Sequence, residues 1–312
     1  MGIIHYTLLP FSLLYYLAGK VRYHILQRPQ KIDAKVICVG NALIGGSGKT
    51  PIVSAIAKIL LKKKKKVAII SHGYKGSLLQ RKMWIKVNPD LHSCCEVGDE
   101  ALLLSKIAPT YIAKKRIIAA RIAAMNGAEI VILDDGLQNN SIYKDLIILA
   151  VNKFDYNNKF LIPTGPFRES FESCVKKSDA LAMPESNYIL ENLSCDKPRI
   201  FYLEKVKNSD QLFGKSVILL IGIARPERLK KILKSLDIRV IESYIFSDHH
   251  KFTLLELKEI YNKAKSKKCK VLTTEKDYVR LPKSFKKRTE VIEYELEFVN
   301  KNTILSILNK IL

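Results

Sequence analysis

Residues 35–61 read KVICVGNALIGGSGKTPIVSAIAKILL. Lys35–Gly40 is a short apolar run closing on Gly40-Asn41, the pattern of a strand buried on both faces. From Thr50 to about Leu61 the apolar residues recur at helical spacing. Between the two stands Gly45-Gly46-Ser47-Gly48-Lys49-Thr50. A glycine-rich turn in that place lets backbone N–H groups wrap phosphate oxygens, and the helix N-terminus adds partial positive charge. Lys49 is expected to reach the β- and γ-phosphates, and Thr50 to set its hydroxyl on Mg²⁺. The expected ligand is a nucleoside triphosphate, contacted by Leu43, Ile44, Gly45, Gly46, Ser47, Gly48, Lys49 and Thr50. Leu43 stands where the strict pattern has its first glycine. A glycine-rich turn that merely starts a helix is the plainer alternative.

Outward from this stretch, Val67–Ser71, Ile130–Asp134 and Leu146–Asn152 read as further strands. Ala101–Ala108 and Arg116–Asn126 read as helices, and the lysine run Lys62–Lys66 suits a solvated helix C-terminus. Strands alternating with helices predict a parallel sheet covered on both faces. A second series follows: strand Ser216–Ile221, helix Pro226–Leu236, strand Arg239–Tyr244, helix Thr253–Ser266 and strand Lys270–Thr274. Arg199–Val206 and Glu290–Phe298 look extended and are expected to pair as a linker between lobes. The expected fold is therefore α/β: a P-loop NTPase-like parallel-sheet domain plus a second, smaller α/β domain joined by a short β linker. The expected division is an N-terminal segment 1–28, a kinase-type domain 29–196 and a second domain 197–312.

The chain has 312 residues, enough for two domains, and its 47% hydrophobic content excludes a disordered or fibrous protein. Lys and Arg number 53 against 30 Asp and Glu, and the resulting +23 charge favours anionic partners without choosing among them. Six cysteines at 38, 94, 95, 174, 195 and 269 show no CxxC pair, which argues against a disulfide framework or a structural zinc. The N-terminus is apolar but interrupted by Pro10, and it lacks the basic start and cleavage site of a signal peptide. A helix from about Pro10 to Gln27 would carry Leu13, Leu14, Leu17, Val21 and Ile25, with tyrosines and basic residues at its margins. That suits a helix lying in a membrane interface; a helix packed on the core is the alternative.

Asp134-Asp135 close a strand, and carboxylates at the C-terminal edge of a parallel sheet sit beside a phosphate loop. One of them is expected to hold Mg²⁺, and adjacent acids on a strand cannot point the same way. Asp99, in Gly98-Asp99-Glu100, is either a helix N-cap or a general base for an acceptor hydroxyl. Asp248-His249-His250 offers a group that could orient or relay for a catalytic carboxylate, with a structural loop as the alternative. Gly165-Pro166-Phe167-Arg168 is a turn presenting an Arg suited to developing charge. Thr274-Glu275-Lys276-Asp277 follows a strand of the second series, and its charges serve either substrate, lobe closure or solvation.

Taken in order, these stretches resemble a known family: Val39-Gly40-Asn41, Gly45 to Pro51, Ser71-His72-Gly73-Tyr74, Val97-Gly98-Asp99-Glu100, Asp134-Asp135-Gly136-Leu137-Gln138, Gly165-Pro166-Phe167-Arg168-Glu169, Gly222-Ile223-Ala224-Arg225-Pro226 and Asp248-His249-His250. The chain is similar to the tetraacyldisaccharide 4′-kinases, the lipid A 4′-kinases of Gram-negative bacteria. In that family Leu43 is not a departure; His72 for an expected Arg and Phe167 for Leu are. The resemblance implies transfer of the γ-phosphate of ATP to a glucosamine 4′-hydroxyl of a membrane-embedded, tetraacylated disaccharide 1-phosphate, giving lipid IVA. It implies Asp99 as the base, with His249, or else His250, assisting. It implies metal and nucleotide roles for Asp134, Asp135 and Gln138, and active-site roles for the basic Arg116 and Arg168. It also implies a peripheral, expectedly monomeric protein on anionic lipids at the cytoplasmic face of the inner membrane. A membrane-positioning ATPase would carry a second Lys near the loop start, where Leu43 and Ile44 stand. A nucleic-acid partner is not expected, because the basic residues are not interleaved with aromatics.

Overall fold

A computed structural model of the chain describes residues 10–12, 14, 28–43, 48–151, 160–185, 195–223 and 226–312. Ile44, Gly45, Gly46 and Ser47 of the expected phosphate loop lie outside the described residues, as does most of the expected 1–28 segment. The large lobe begins with strands β1 (Lys35–Gly40), β2 (Val67–Ser71), β3 (Trp84–Val87), β4 (Thr110–Ala113), β5 (Ile130–Asp134), β6 (Leu146–Ala150), β7 (Ala180–Pro184) and β8 (Arg199–Val206). The small lobe holds β9 (Ser216–Ile221), β10 (Arg239–Ile245), β11 (Lys270–Thr274) and β12 (Thr289–Ile292), and β13 (Tyr294–Phe298) returns to the large sheet.

The large sheet runs β13-β8-β7-β6-β1-β5-β2-β4-β3, parallel except at its edges, where β3 and β13 are antiparallel to their neighbours. Its inner strands are apolar throughout because helices cover both faces. Successive side chains alternate between those faces. Ile37 and Val39 pack with Ile52, Ile56 and Leu60 of helix α1 (Lys49–Lys62). A short helix, α2 (Asp99–Leu104), adds Leu104 to the same face. Val36 and Cys38 face Ala119, Ala120 and Ala123 of α3 (Arg116–Met125). From β1 the sheet grows through β5 on one side and β6 on the other. The crevice at the C-terminal end of β1 is therefore a topological switch point, the usual ligand position in such sheets.

In the small lobe the order β10-β9-β11-β12 is wholly parallel. Helix α4 (Pro226–Ser235) covers Leu219 and Ile221 with Leu229 and Leu233. Helix α5 (Leu254–Ser266) covers Ile218 and Leu220 with Leu257, Ile260 and Tyr261. A single turn, α6 (Glu275–Tyr278), follows β11.

The chain's end departs from the expected division. The stretch 290–298 is not one linker strand. It is split at Glu293 into β12, which completes the small sheet, and β13, which pairs with β8 and blunts the large sheet's edge. Helix α7 (Lys301–Asn309) then buries Ile304, Ile307 and Leu308 in the same core as Leu60 and Leu104. The last strand and helix thus share the large lobe's core, because the apolar face of α7 has its complement there.

Candidate active site

Lys49 opens α1 directly after Gly48, whose φ of 78° is left-handed. Its ammonium donates to Asn41 Oδ1 at 2.9 Å and lies 3.4 Å from Asp135 Oδ1. Gln138 Nε2 donates to the carbonyl of Asn41 at 3.0 Å, so both neighbours of the strand end are tied to one residue. Leu43 is buried and bridges to Phe167, and the Arg168 N–H donates to the carbonyl of Ala42. This seats the Gly165-Pro166-Phe167-Arg168 turn against Ala42 and Leu43. From there Arg168 Nη1 reaches Asp135 Oδ2 at 3.1 Å.

Asp135 has φ 57°, a left-handed conformation that Asp tolerates, and Arg116 donates to its carbonyl oxygen. The turn sends the two adjacent carboxylates to different surroundings. Burial would raise the pKa of Asp135, but Lys49, Arg168 and Arg116 outweigh it and hold the group below its usual value. Asp134 is buried without the Arg168 bond that Asp135 has. Burial, with the negative charges of Glu100 and Asp135 added, pushes it up to about 8 against the pull of Lys49 and Arg116. Asp134 Oδ1 and Asp135 Oδ1 are buried with no hydrogen-bond donor among the described residues.

Asp99 is not the cap of its helix. Gly98 holds that place at φ 88°, where a Cβ would come within 2.8 Å of the Tyr74 carbonyl, so only glycine fits. Asp99 Oδ1 accepts from the Glu100 N–H, while Oδ2 faces the small lobe. There His249 Nδ1 donates at 2.9 Å, and Arg280 donates from Nη2 at 2.6 Å and Nε at 3.1 Å. Burial alone would raise the pKa of Asp99. The His249 bond and the charges of Lys276 and Arg280 more than offset it and hold the carboxyl well below the usual range. Lys276 Nζ donates to Asp248 Oδ1 at 3.1 Å and sits 3.3 Å from His249 Nε2. Tyr74 packs edge-on against the His249 ring. His250 turns away, stacks on Phe246 and bonds to Glu256.

The structure thus brings Lys49, Gln138, Arg168, Arg116 and Asp135 to one cluster, with Asp134 beside it. It brings Asp99 and His249 to a second. Glu100, next to Asp99, lies close enough to Asp134 to raise its pKa, so the two clusters are neighbours. Thr50 is half-buried in the first turn of α1. Sequence reading gave no role to Asn41, Tyr74 or Arg280. Arg280 left a faint signal: an Arg one helical turn after Lys276-Asp277, set between the apolar Val279 and Leu281.

The model of the tetraacyldisaccharide-1-P 4′-kinase family matches residues 4–312. The chain belongs to this family. The tetraacyldisaccharide 4′-kinase of Parvibaculum lavamentivorans is 33% identical over 88% of this chain and 81% of its own. That of a Jannaschia species is 32% identical over 100% of this chain and 96% of its own. A crystal structure of LpxK from Aquifex aeolicus in complex with ATP superposes with a TM-score of 0.79. It shares 28% identity, with 99% of each chain covered. As a member of the 4′-kinase family the chain is an enzyme, a phosphotransferase of lipid A synthesis acting on a tetraacyldisaccharide 1-phosphate. The α/β fold with its mostly parallel P-loop-type sheet agrees with that membership. No helix among the described residues is long and apolar enough to cross a membrane.

The crevice suits a hard divalent cation. An orphaned buried carboxylate oxygen on Asp134, burdened by neighbouring negative charge, is what an oxygen-liganded ion would relieve.

Proposed function

We propose that the chain transfers the γ-phosphate of ATP to the 4′-hydroxyl of a membrane-embedded, tetraacylated glucosamine disaccharide 1-phosphate, forming lipid IVA. The observation that carries the residue roles is the meeting of Asp99 from the large lobe with His249 from the small lobe at 2.9 Å, on the crevice that holds Lys49. The LpxK solved with ATP supports the choice of nucleotide.

In this reading the bond from the 4′-oxygen to Pγ forms as the bond from Pγ to the β,γ-bridging oxygen breaks, and ADP leaves. The hydroxyl proton passes to Asp99. A carboxylate held so acidic is a weak base, but phosphoryl transfer runs through a loose transition state. The hydroxyl becomes acidic only as its bond to phosphorus forms, so a weak, well-placed acceptor suffices. His249 orients Asp99. Lys49 leaves Asn41 for the phosphates, and Arg168 neutralises charge developing on the transferred group. Arg116 acts through Asp135, whose backbone it fixes. Thr50 and Asp134, with Asp135, would hold Mg²⁺, which when bound neutralises charge on the β- and γ-phosphates.

The peripheral position at the inner membrane rests on a smaller observation. Ser12 is buried and bonds to the Leu161 carbonyl and the Thr164 N–H, beside the turn that carries Arg168. Phe11 and Leu14, three residues apart, are left exposed. These two exposed apolar side chains beside the Arg168 turn support the reading that this edge meets the bilayer that holds the acceptor's acyl chains.

The test is γ-phosphate transfer from ATP to the tetraacylated acceptor in mixed micelles, with and without Mg²⁺. Wild type is expected to give the 1,4′-bisphosphate only with Mg²⁺. Lys49→Ala should lose at least about 100-fold in turnover, and Asp99→Asn should lose transfer while still binding ATP. Full activity of Asp99→Asn would remove Asp99 as the base. ATP hydrolysis without lipid product would point to an ATPase.

A further inference from the structure

Arg280 lies on the small lobe, yet its closest partner is Asp99 of the large lobe. Each of these side chains is only 5% exposed. The segment around it is built to reach across. Val279 packs among Ile85, Val97 and Ile112 of the large lobe, whereas Leu281 sits in the small lobe's core with Ile260 and Phe285. Arg280, between them, is anchored on its own side. Its Nη1 donates to Asp277 Oδ1 at 2.9 Å and to the Gly222 carbonyl at 3.1 Å. Asp277 is fully buried and is itself fixed by the Gly222 N–H and the Thr274 hydroxyl. The remaining nitrogens, Nε and Nη2, both point at Asp99 Oδ2, the oxygen that also takes His249 Nδ1.

Three donors therefore crowd Oδ2, while Oδ1 holds a single bond from the Glu100 N–H. We propose that Arg280 is a positioning residue for the transfer. Its anchored fork fixes Asp99 with Oδ1 as the oxygen open to the acceptor hydroxyl, and makes that arrangement depend on docking of the small lobe. The inference rests on the reading of Asp99 as the base. A lysine could not do the same, because a point charge lacks the planar fork that bonds Asp277 and Asp99 at once.

The charged and titratable groups facing Asp99 are Arg280, Lys276, His249 and the Cys94 thiol, with Glu100 beside it on α2. Removing Arg280 takes away a cation that favours the ionised carboxyl, so the proton affinity of Asp99 must rise. The acid limb of the pH–rate profile then moves to higher pH. The experiment measures kcat for phosphate transfer from about pH 3 to about pH 9, because the acid limb of a carboxyl held below its usual range lies under about pH 4, together with the ATP Kd, in full-length wild type, Arg280→Gln and Arg280→Lys. Arg280→Gln is expected to lose about 10- to 100-fold in kcat, to keep its ATP Kd within about twofold, and to show the acid limb about one pH unit or more higher. Arg280→Lys should recover the limb position more than the rate. A kcat within about threefold of wild type, or a loss with the limb unmoved, would overturn the proposal. Should Arg280→Gln not fold, Asp277→Asn loosens the anchor while keeping Arg280. Because it removes a carboxylate that shares Arg280 with Asp99, it should lower kcat without moving the limb upward, and an unchanged kcat again overturns the idea. Asp99→Asn runs alongside: if it stays active, the base assignment itself has failed, whatever Arg280 does.

Discussion

At the scale of single residues, the two adjacent acids after β5 show how position sets chemistry. Asp135 is surrounded by cations and stays ionised, whereas Asp134 is buried and pushed up to about 8. A raised carboxyl favours folding while it is protonated in the native state. Its contribution is full below the unfolded value of about 4 and is lost as pH rises through about 8. With divalent cations chelated, the wild-type protein should therefore lose thermal stability from about pH 5 to about pH 9, and Asp134→Asn should flatten that slope. We expect the variant to melt a few degrees higher near pH 8.5, no differently near pH 4, and to be inactive throughout. Equal melting at pH 8.5 would show that Asp134 carries no uncompensated charge. The pairing of acids was legible in the sequence, but their split was not, because it depends on which cations the fold brings to each.

At the scale of elements, the strands that read as continuous apolar runs formed where expected, β1, β2, β5 and β9 to the residue. No expectation covered β3, β4 and β7: β3 alternates between exposed and buried residues, whereas β4 and β7, although buried, are simply not read as strands. Helix α2 starts earlier than the expected Ala101–Ala108, at Asp99, and is shorter because it ends at Leu104. Its start is enforced by Gly98, whose left-handed backbone and contact with the Tyr74 carbonyl exclude a side chain. Gly98→Ala should cost about 2 kcal/mol in a urea titration and displace Asp99. Turnover should fall more than the stability loss explains, since Asp99 must meet donors from the other lobe. A stable variant with normal kcat would show that the turn has slack.

At the scale of the whole molecule, two lobes with separate sheets are stitched by β8, β13 and the Val279-Arg280-Leu281 contact. Lys49 and Asp99 belong to the large lobe, and His249 and Arg280, which bond to Asp99, to the small one. The +23 charge belongs to the whole surface and should hold the protein on anionic bilayers. Co-sedimentation with vesicles containing anionic lipid should fall steeply between about 50 and 500 mM NaCl, as screening shortens the reach of surface charge. Removing residues 1–27 should weaken the salt-resistant part and raise the lipid concentration needed for turnover. Unchanged binding and turnover in a folded variant would make that segment part of the core instead.

The sequence alone determined the α/β class, the place of the phosphate loop after β1 and the identities of Lys49, Asp99, Asp134, Asp135 and Arg168 as the groups to watch. These follow from local patterns, since buried strands, helix starts and glycine turns are written in consecutive residues. Tertiary structure alone decided which of His249 and His250 meets Asp99, that Arg280 shares that carboxylate, and that the chain's last helix rejoins the first lobe. Those contacts span some 150 to 250 residues, and no local pattern encodes them. They arise because packing two cores side by side leaves particular polar groups facing one another, and burial obliges each to find a partner.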